Sequence, residues 1–167
     1  MRLASYLKGL LAISLLVGCF TSAALAQKTE TESYTTYYVT VSATTLQLGT
    51  DHTMTATEFQ GVTRSDRPGG MFDNMTARCI GTREVAAGIM TSQGSCTEMY
   101  PDGSQTFSTY LSKGPITSQL TGSHTFVGGT GKYSGISGKA EYTAQALKAP
   151  ENVRVFVAKH KATYTLP

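Results

Sequence analysis

Apolar and polar residues alternate most clearly near the end of this chain, and no convincing stretch shows the three-and-four spacing of an amphipathic helix. The clearest run is GKAEYTAQAL, Gly138 to Leu147. Ala140, Tyr142, Ala144 and Ala146 share one face of an extended strand, and Lys139, Glu141, Thr143 and Gln145 share the other. One face calls for a core and the other for water. Strand-like runs cover Tyr34 to Ser42, Thr44 to Leu48, Thr53 to Phe59, Met71 to Ile80, Val85 to Thr91 and Ser95 to Tyr100. They continue over Gln105 to Leu111, Gln119 to Val127 and Val153 to Tyr164. Thr and Tyr, abundant in these runs, favour pleated surfaces. The polar segment Gln27 to Ser33 reads as a frayed arm.

Turn chemistry separates the runs. Asp66-Arg67-Pro68-Gly69-Gly70 is one break, and Pro101-Asp102-Gly103 is a hairpin signal between two strands. Short runs of this kind with turns between them predict an all-β fold, a single antiparallel barrel of about eight strands. No change of composition marks a second domain.

The stretch FVGGTGKYSGISGKAEYT, Phe126 to Thr143, raises a chemical question because GGTGK resembles part of a phosphate-binding loop. The loop needs a glycine five residues before Gly131, where Phe126 stands, and Ser or Thr after the lysine, where Tyr133 stands. Ser134-Gly135-Ile136-Ser137-Gly138 cannot begin the helix that would follow. The dinucleotide signature fails at Ser134, with no βαβ unit around it. The glycines instead predict tight corners in a curved sheet, with Tyr133 and Ile136 folding inward as apolar plugs at a barrel end.

GGTGKYSGISG also resembles the GGTGxF/YxGxxG segment of exported bacterial β-barrel proteins, which are similar to the allene oxide cyclase and dirigent barrel group. MFDNMTARCIGT and GSCTEMYPDGSQTFSTY resemble that family too, in which a Cys tends to precede an Asp-Gly turn. The resemblance covers about the second half of the chain and a little more. It implies an eight-stranded, calycin-like barrel with a central cavity. It assigns no catalytic residue, because the cavity residues behind those activities have no match in these segments.

Residues 1–26 read as a secretory signal: Arg2 and Lys8 form a positive start, Leu10 to Phe20 an apolar core, and Ala24-Leu25-Ala26 a small-residue cleavage site. Within it, Leu16-Val17-Gly18-Cys19 matches a bacterial lipobox, so lipidation of Cys19 is the competing fate. Either one exports the barrel, residues 27–167, to the periplasm or medium, or to the outer membrane by a lipid anchor. Without Arg2 and Lys8 the basic residues fall from 14 to 12, against 11 acidic ones. That near balance gives no case for nucleic acid, and a membrane contact only through Cys19. Of the three cysteines, Cys79 and Cys96 remain as a pair in an oxidising compartment, where a disulfide is expected. No metal or cofactor is expected, since no further Cys or suitably spaced His completes a ligand set.

Candidate chemistry is sparse. His160 alternates with Phe156, Ala158, Ala162 and Tyr164, and His124 shares a face with Phe126, so both can point inward. Glu98 is in step with Cys96 and Tyr100, and a buried carboxylate needs a partner or a raised pKa. Tyr142 lies on the apolar face of its strand. These four are the candidate cavity residues. His52, beside Asp51, reads as solvated. Tyr34, Tyr37 and Tyr38 suit a half-buried edge strand or a sticky surface. The leading expectation is a non-enzymatic barrel that binds a small apolar molecule or serves as an envelope interaction module. The alternative is an isomerase or dirigent-like protein that steers a reactive intermediate in its cavity. A barrel packed solid would exclude both cavity readings.

Overall fold

The computed structural model describes residues 27–167, so the segment expected to be a secretory signal and Cys19 lie outside the described residues. Eight strands follow in order: β1 (Lys28–Gly49), β2 (His52–Ser65), β3 (Thr76–Ala86), β4 (Ile89–Met99), β5 (Gln105–Pro115), β6 (Leu120–Gly129), β7 (Ser137–Leu147) and β8 (Val155–Leu166). Each pairs antiparallel with the next, and β8 returns to pair with β1, closing the barrel. Closure gives every strand a neighbour on both sides, although β1 ladders with β8 alone before Tyr34 and mainly with β2 beyond Val39.

Three runs differ from expectation. The arm Gln27 to Ser33 is not frayed: from Lys28 onward it pairs with β8, Lys28 opposite Leu166 and Ser33 opposite Lys161. The runs ending at Ser42 and beginning at Thr44 are one strand, with a register shift between Thr40 and Ser42. Val85 to Thr91 is not a strand but the β3–β4 hairpin. Ala86 pairs with Ile89 there, and Ala87 and Gly88 turn with positive φ.

Met71 to Asn74 is also not extended; it belongs to a loop that plugs one end of the barrel. Glu32, in the segment read as frayed, holds this loop. Its carboxylate accepts hydrogen bonds from Ser65 Oγ (2.5 Å), Arg67 (2.8 Å) and the backbone amide of Met71 (3.1 Å). Thr63 Oγ1 lies 2.5 and 3.0 Å from the carbonyl oxygens of Phe72 and Met75, between which its one proton is shared. Phe72 is thereby seated against Tyr34, with ring centroids 4.1 Å apart. Tyr133 and Ile136 fold inward as expected and join Phe72, Met75, Tyr100, Phe126 and Tyr164 in the core of this end. Lys132 of the GGTGK run binds Asp102 of the Pro-Asp-Gly turn at 2.8 Å. With Lys132 as main cause, that contact holds the Asp102 carboxyl below its usual range. The lysine of that run is a clasp between two corners.

Cys79 and Cys96 lie directly opposite each other on β3 and β4 and are joined by a disulfide. Both face the interior and are buried. The bridge closes a loop of 17 residues, worth about 3 kcal/mol in the chain-entropy account. Reduced protein is therefore expected to unfold in urea with about 3 kcal/mol less stability than oxidised protein. Equal midpoints with and without reductant would show that the sheet registers this hairpin unaided.

Candidate functional site

Strand alternation assembles the site. On β4, Cys96 and Glu98 face inward, with Tyr100 buried just beyond its end; on β5, Thr106, Ser108, Tyr110 and Ser112 do so. His124 comes from β6, Tyr142 from β7 and His160 from β8, and Tyr142 pairs directly with His160. All four sequence candidates thus point into one lumen. Tyr34 and Tyr38 do too, so they form neither a sticky surface nor an edge; Tyr37 alone of the three is exposed. His52 is half-buried at the other end of the barrel and contacts Glu84 at 2.6 Å.

The lumen is divided. Its plugged end is packed by the aromatic core described above. The other end, ringed by the β1–β2, β3–β4, β5–β6 and β7–β8 connections, opens into a cavity of about 970 Å³. That lies at the upper end of the range for small-molecule sites. Tyr38, Phe59 and Phe156 form an aromatic wall, with Phe59 edge-on to both others at 5.2 and 5.4 Å. Tyr110, Tyr142, His124 and His160 line the deep end. Gly81 and Gly94 pair across β3 and β4 beneath Tyr110. A side chain at either would strike the opposite backbone and the Tyr110 ring, so the glycines let that ring lie against the wall.

Beneath this floor sits Glu98, about 5% exposed. Thr106 Oγ1 donates to its Oε2 at 2.9 Å and Ser108 Oγ to its Oε1 at 2.5 Å. Burial penalises the charged carboxylate more than these bonds favour it, and raises the pKa to about 7. Ser108 Oγ also lies 3.2 Å from Nδ1 of His124. His124 is pushed down to about 4 by burial. His160 is pushed down to about 3, first by burial and then by the charge His124 would carry. Both rings are therefore neutral near pH 7. His160 stacks on Tyr34 at 4.4 Å and meets His124 edge to face at 5.5 Å; its Nδ1 is buried without a partner. Burial also raises Tyr142.

Cys96, Glu98 and His124 come within 4.8 Å of one another, a spacing that could suit a cation. The Cys96 sulfur is committed to the disulfide, however, which leaves no thiolate to act as ligand. Sequence reasoning singled out Glu98 and His124 but not the hydroxyl that joins them. Ser108 is one of many Ser and Thr residues, and only its inward register on β5 distinguishes it.

This arrangement defines a class of protein: a closed eight-stranded antiparallel barrel, plugged at one end and hollow at the other. Among solved structures, that fold is the one found in dirigent proteins. The pterocarpan synthase dirigent protein GePTS1 superposes with a TM-score of 0.52 at 12% identity, over 81% of this chain and 86% of its own. A second, PsPTS1, gives 0.47 at 15% identity over 83% and 95%. No protein-family model matches the chain, and no curated protein matches it in sequence.

Proposed function

We propose that this protein binds a small apolar molecule bearing one polar group, with its apolar body in the open half of the barrel and the polar group at the histidine floor. The carrying observation is the cavity itself: an aromatic wall of Tyr38, Phe59 and Phe156 leading down to His124 and His160. A pocket with a few convergent polar groups is the usual form of a small-molecule site. The neutral state of both histidines favours an uncharged ligand group over a carboxylate, which would meet no cation at that depth. Export through the leader, with the barrel acting outside the cytoplasm, belongs to the same proposal. Intact mass of the mature protein would distinguish a start at Gln27 from a lipidated Cys19.

Binding is tested with a neutral naphthylamine dye, whose fluorescence rises on leaving water. Ala144 lines the cavity, and Ala144→Phe places a ring inside it. That variant is expected to weaken dye binding at least about tenfold, while melting within a few degrees of wild type. Dye affinity unchanged by the added ring would place the dye elsewhere and remove the case for a cavity site.

The second reading, a steering or isomerising role, is favoured by one feature beyond the fold: a carboxyl titrating near neutrality lies one hydroxyl away from the cavity floor.

A further inference from the structure

We propose that Glu98, Ser108 and His124 form a proton relay that opens onto the cavity floor and exchanges a proton with an enolisable apolar carbonyl compound bound there. The inference rests on the ligand-binding reading and assigns the site its chemistry. It stands on the order of the three groups. Ser108 Oγ sits between Glu98 Oε1 at 2.5 Å and His124 Nδ1 at 3.2 Å, and the His124 ring lines the cavity.

A hydroxyl has one proton to give, and this fixes the state of the chain. When Glu98 is ionised, Ser108 donates to it. His124 must then carry its proton on Nδ1 and donate to Ser108, leaving Nε2 as a bare lone pair. When Glu98 is protonated, every bond can reverse. Glu98 donates to Ser108, Ser108 donates to Nδ1, and the His124 proton moves to Nε2. The imidazole stays neutral throughout, but its free nitrogen changes from acceptor to donor. A carboxyl beneath the floor thus decides which hydrogen bond the cavity offers.

The same shift supplies acid–base chemistry. With Glu98 ionised, Nε2 takes a proton from the carbon next to a bound carbonyl. The C–H electrons become the C=C of the enolate as the carbonyl π electrons move onto oxygen. The Nδ1 proton passes to Ser108 and the Ser108 proton to Glu98. The reverse sequence returns a proton to carbon. No oxidant, reductant or leaving group is required. A weakly basic imidazole serves because the proton comes to rest on the carboxylate, whose pKa suits work near pH 7. His160 lies edge to face with His124, and its ring also lines the cavity.

Among the described residues, the charged groups that line the cavity are the exposed Arg83 and Arg154, and the groups packed around Glu98 itself are uncharged. Around Glu98 stand Tyr34 and Tyr38 of β1, Tyr100 just beyond β4 and Tyr110 of β5, with His124 of β6, Tyr142 of β7 and His160 of β8. Burial keeps the tyrosines protonated and the histidines neutral. β2 and β3 turn Phe59, Thr63, Ala77 and the disulfide inward. The remaining buried carboxylate, Glu32, is bound to Arg67 at the plugged end.

The test uses the whole folded barrel with isotope-labelled histidine, and first reads the His124 ring nitrogens by NMR without ligand. From about pH 5 to about pH 9 the proton should move from Nε2 to Nδ1 with a midpoint of about 7. In Ser108→Ala the tautomer should no longer follow Glu98. Deuterium exchange into β-tetralone, an apolar enolisable ketone, then reads the chemistry. Wild type should exceed buffer by on the order of a hundredfold, and Ser108→Ala and Glu98→Gln should each lose most of that gain. A single His124 tautomer across the range would overturn the relay, as would exchange equally fast in Ser108→Ala. Failure of β-tetralone to bind, with the tautomer switch intact, would count against the ligand reading alone.

Discussion

Gly138→Val is expected to be the most damaging single substitution in the glycine-rich corner, costing about 4 kcal/mol or more and leaving much of the chain unfolded at moderate temperature. Gly138 opens β7 with φ of 130°, a conformation that side chains of L residues rarely adopt. A Cβ there would stand 2.3 Å from the carbonyl oxygen of Thr163 and 2.7 Å from the Cα of Tyr164. Both obstacles are backbone of β8, which pairs with β7 and cannot swing aside as a side chain could. Relief would require parting the two strands where Tyr164 enters the aromatic plug. Gly69→Ala is the control: it shares a positive φ of 67°, but nothing lies within 4 Å of the added carbon, so it should cost only about 1 kcal/mol. Urea unfolding of both variants makes the comparison. Similar losses would show that backbone conformation alone, without the cross-strand collision, sets the price of this corner.

That corner shows what the sequence could and could not convey. Alternation from Ala140 to Ala146 placed β7 correctly, because a strand buried on one face writes its period directly into the chain. The failure of the phosphate-loop signature at Phe126 and Tyr133 was equally readable, and both residues proved to be core. The β3–β4 hairpin was hidden because Gly88 alone marks it, between Val85 on one side and Ile89 to Thr91 on the other. Ala87, not a usual turn residue, takes the left-handed position there. Gln27 to Ser33 misled for the opposite reason. A polar strand in a closed barrel is held by its ladder to β8, which local composition does not record. Inward-facing Glu98, His124, His160 and Tyr142 followed from register with their apolar neighbours. Ser108 could not be found that way, since its role depends on the registers in which β4 and β6 flank β5, which the pattern of β5 alone does not record.

Replacing Glu98 with glutamine should stabilise the barrel at neutral and alkaline pH, by roughly 3 kcal/mol above about pH 7, and have little effect in acid. The folded carboxyl titrates at about 7 and the ordinary one at 4.5. The unfolded chain therefore releases its proton first as pH rises. Stability from the neutral carboxyl is fully present below about pH 4.5 and is lost as pH rises through about 7. The two histidines act in the opposite direction. Their folded values, about 4 for His124 and about 3 for His160, lie below the ordinary 6.5. Stability from their neutral forms is therefore present above 6.5 and lost as pH falls through those lower values. Between about pH 4.5 and about pH 6.5 two histidines oppose one carboxyl, so these three groups together make wild type weaker toward acid, by roughly 3 kcal/mol across that window. Without the opposing carboxyl, the acid limb of Glu98→Gln should be about twice as steep. Exposed acids and the Asp102–Lys132 clasp are common to both proteins, so their contributions cancel when the two curves are subtracted. The quantity to follow is that difference, from urea unfolding at closely spaced pH values. It should grow from near zero at about pH 4.5 and level off just above pH 7. A difference independent of pH would mean that Glu98 reaches water or a cation and carries its charge through folding, which would also deprive the floor of its neutral-range acid.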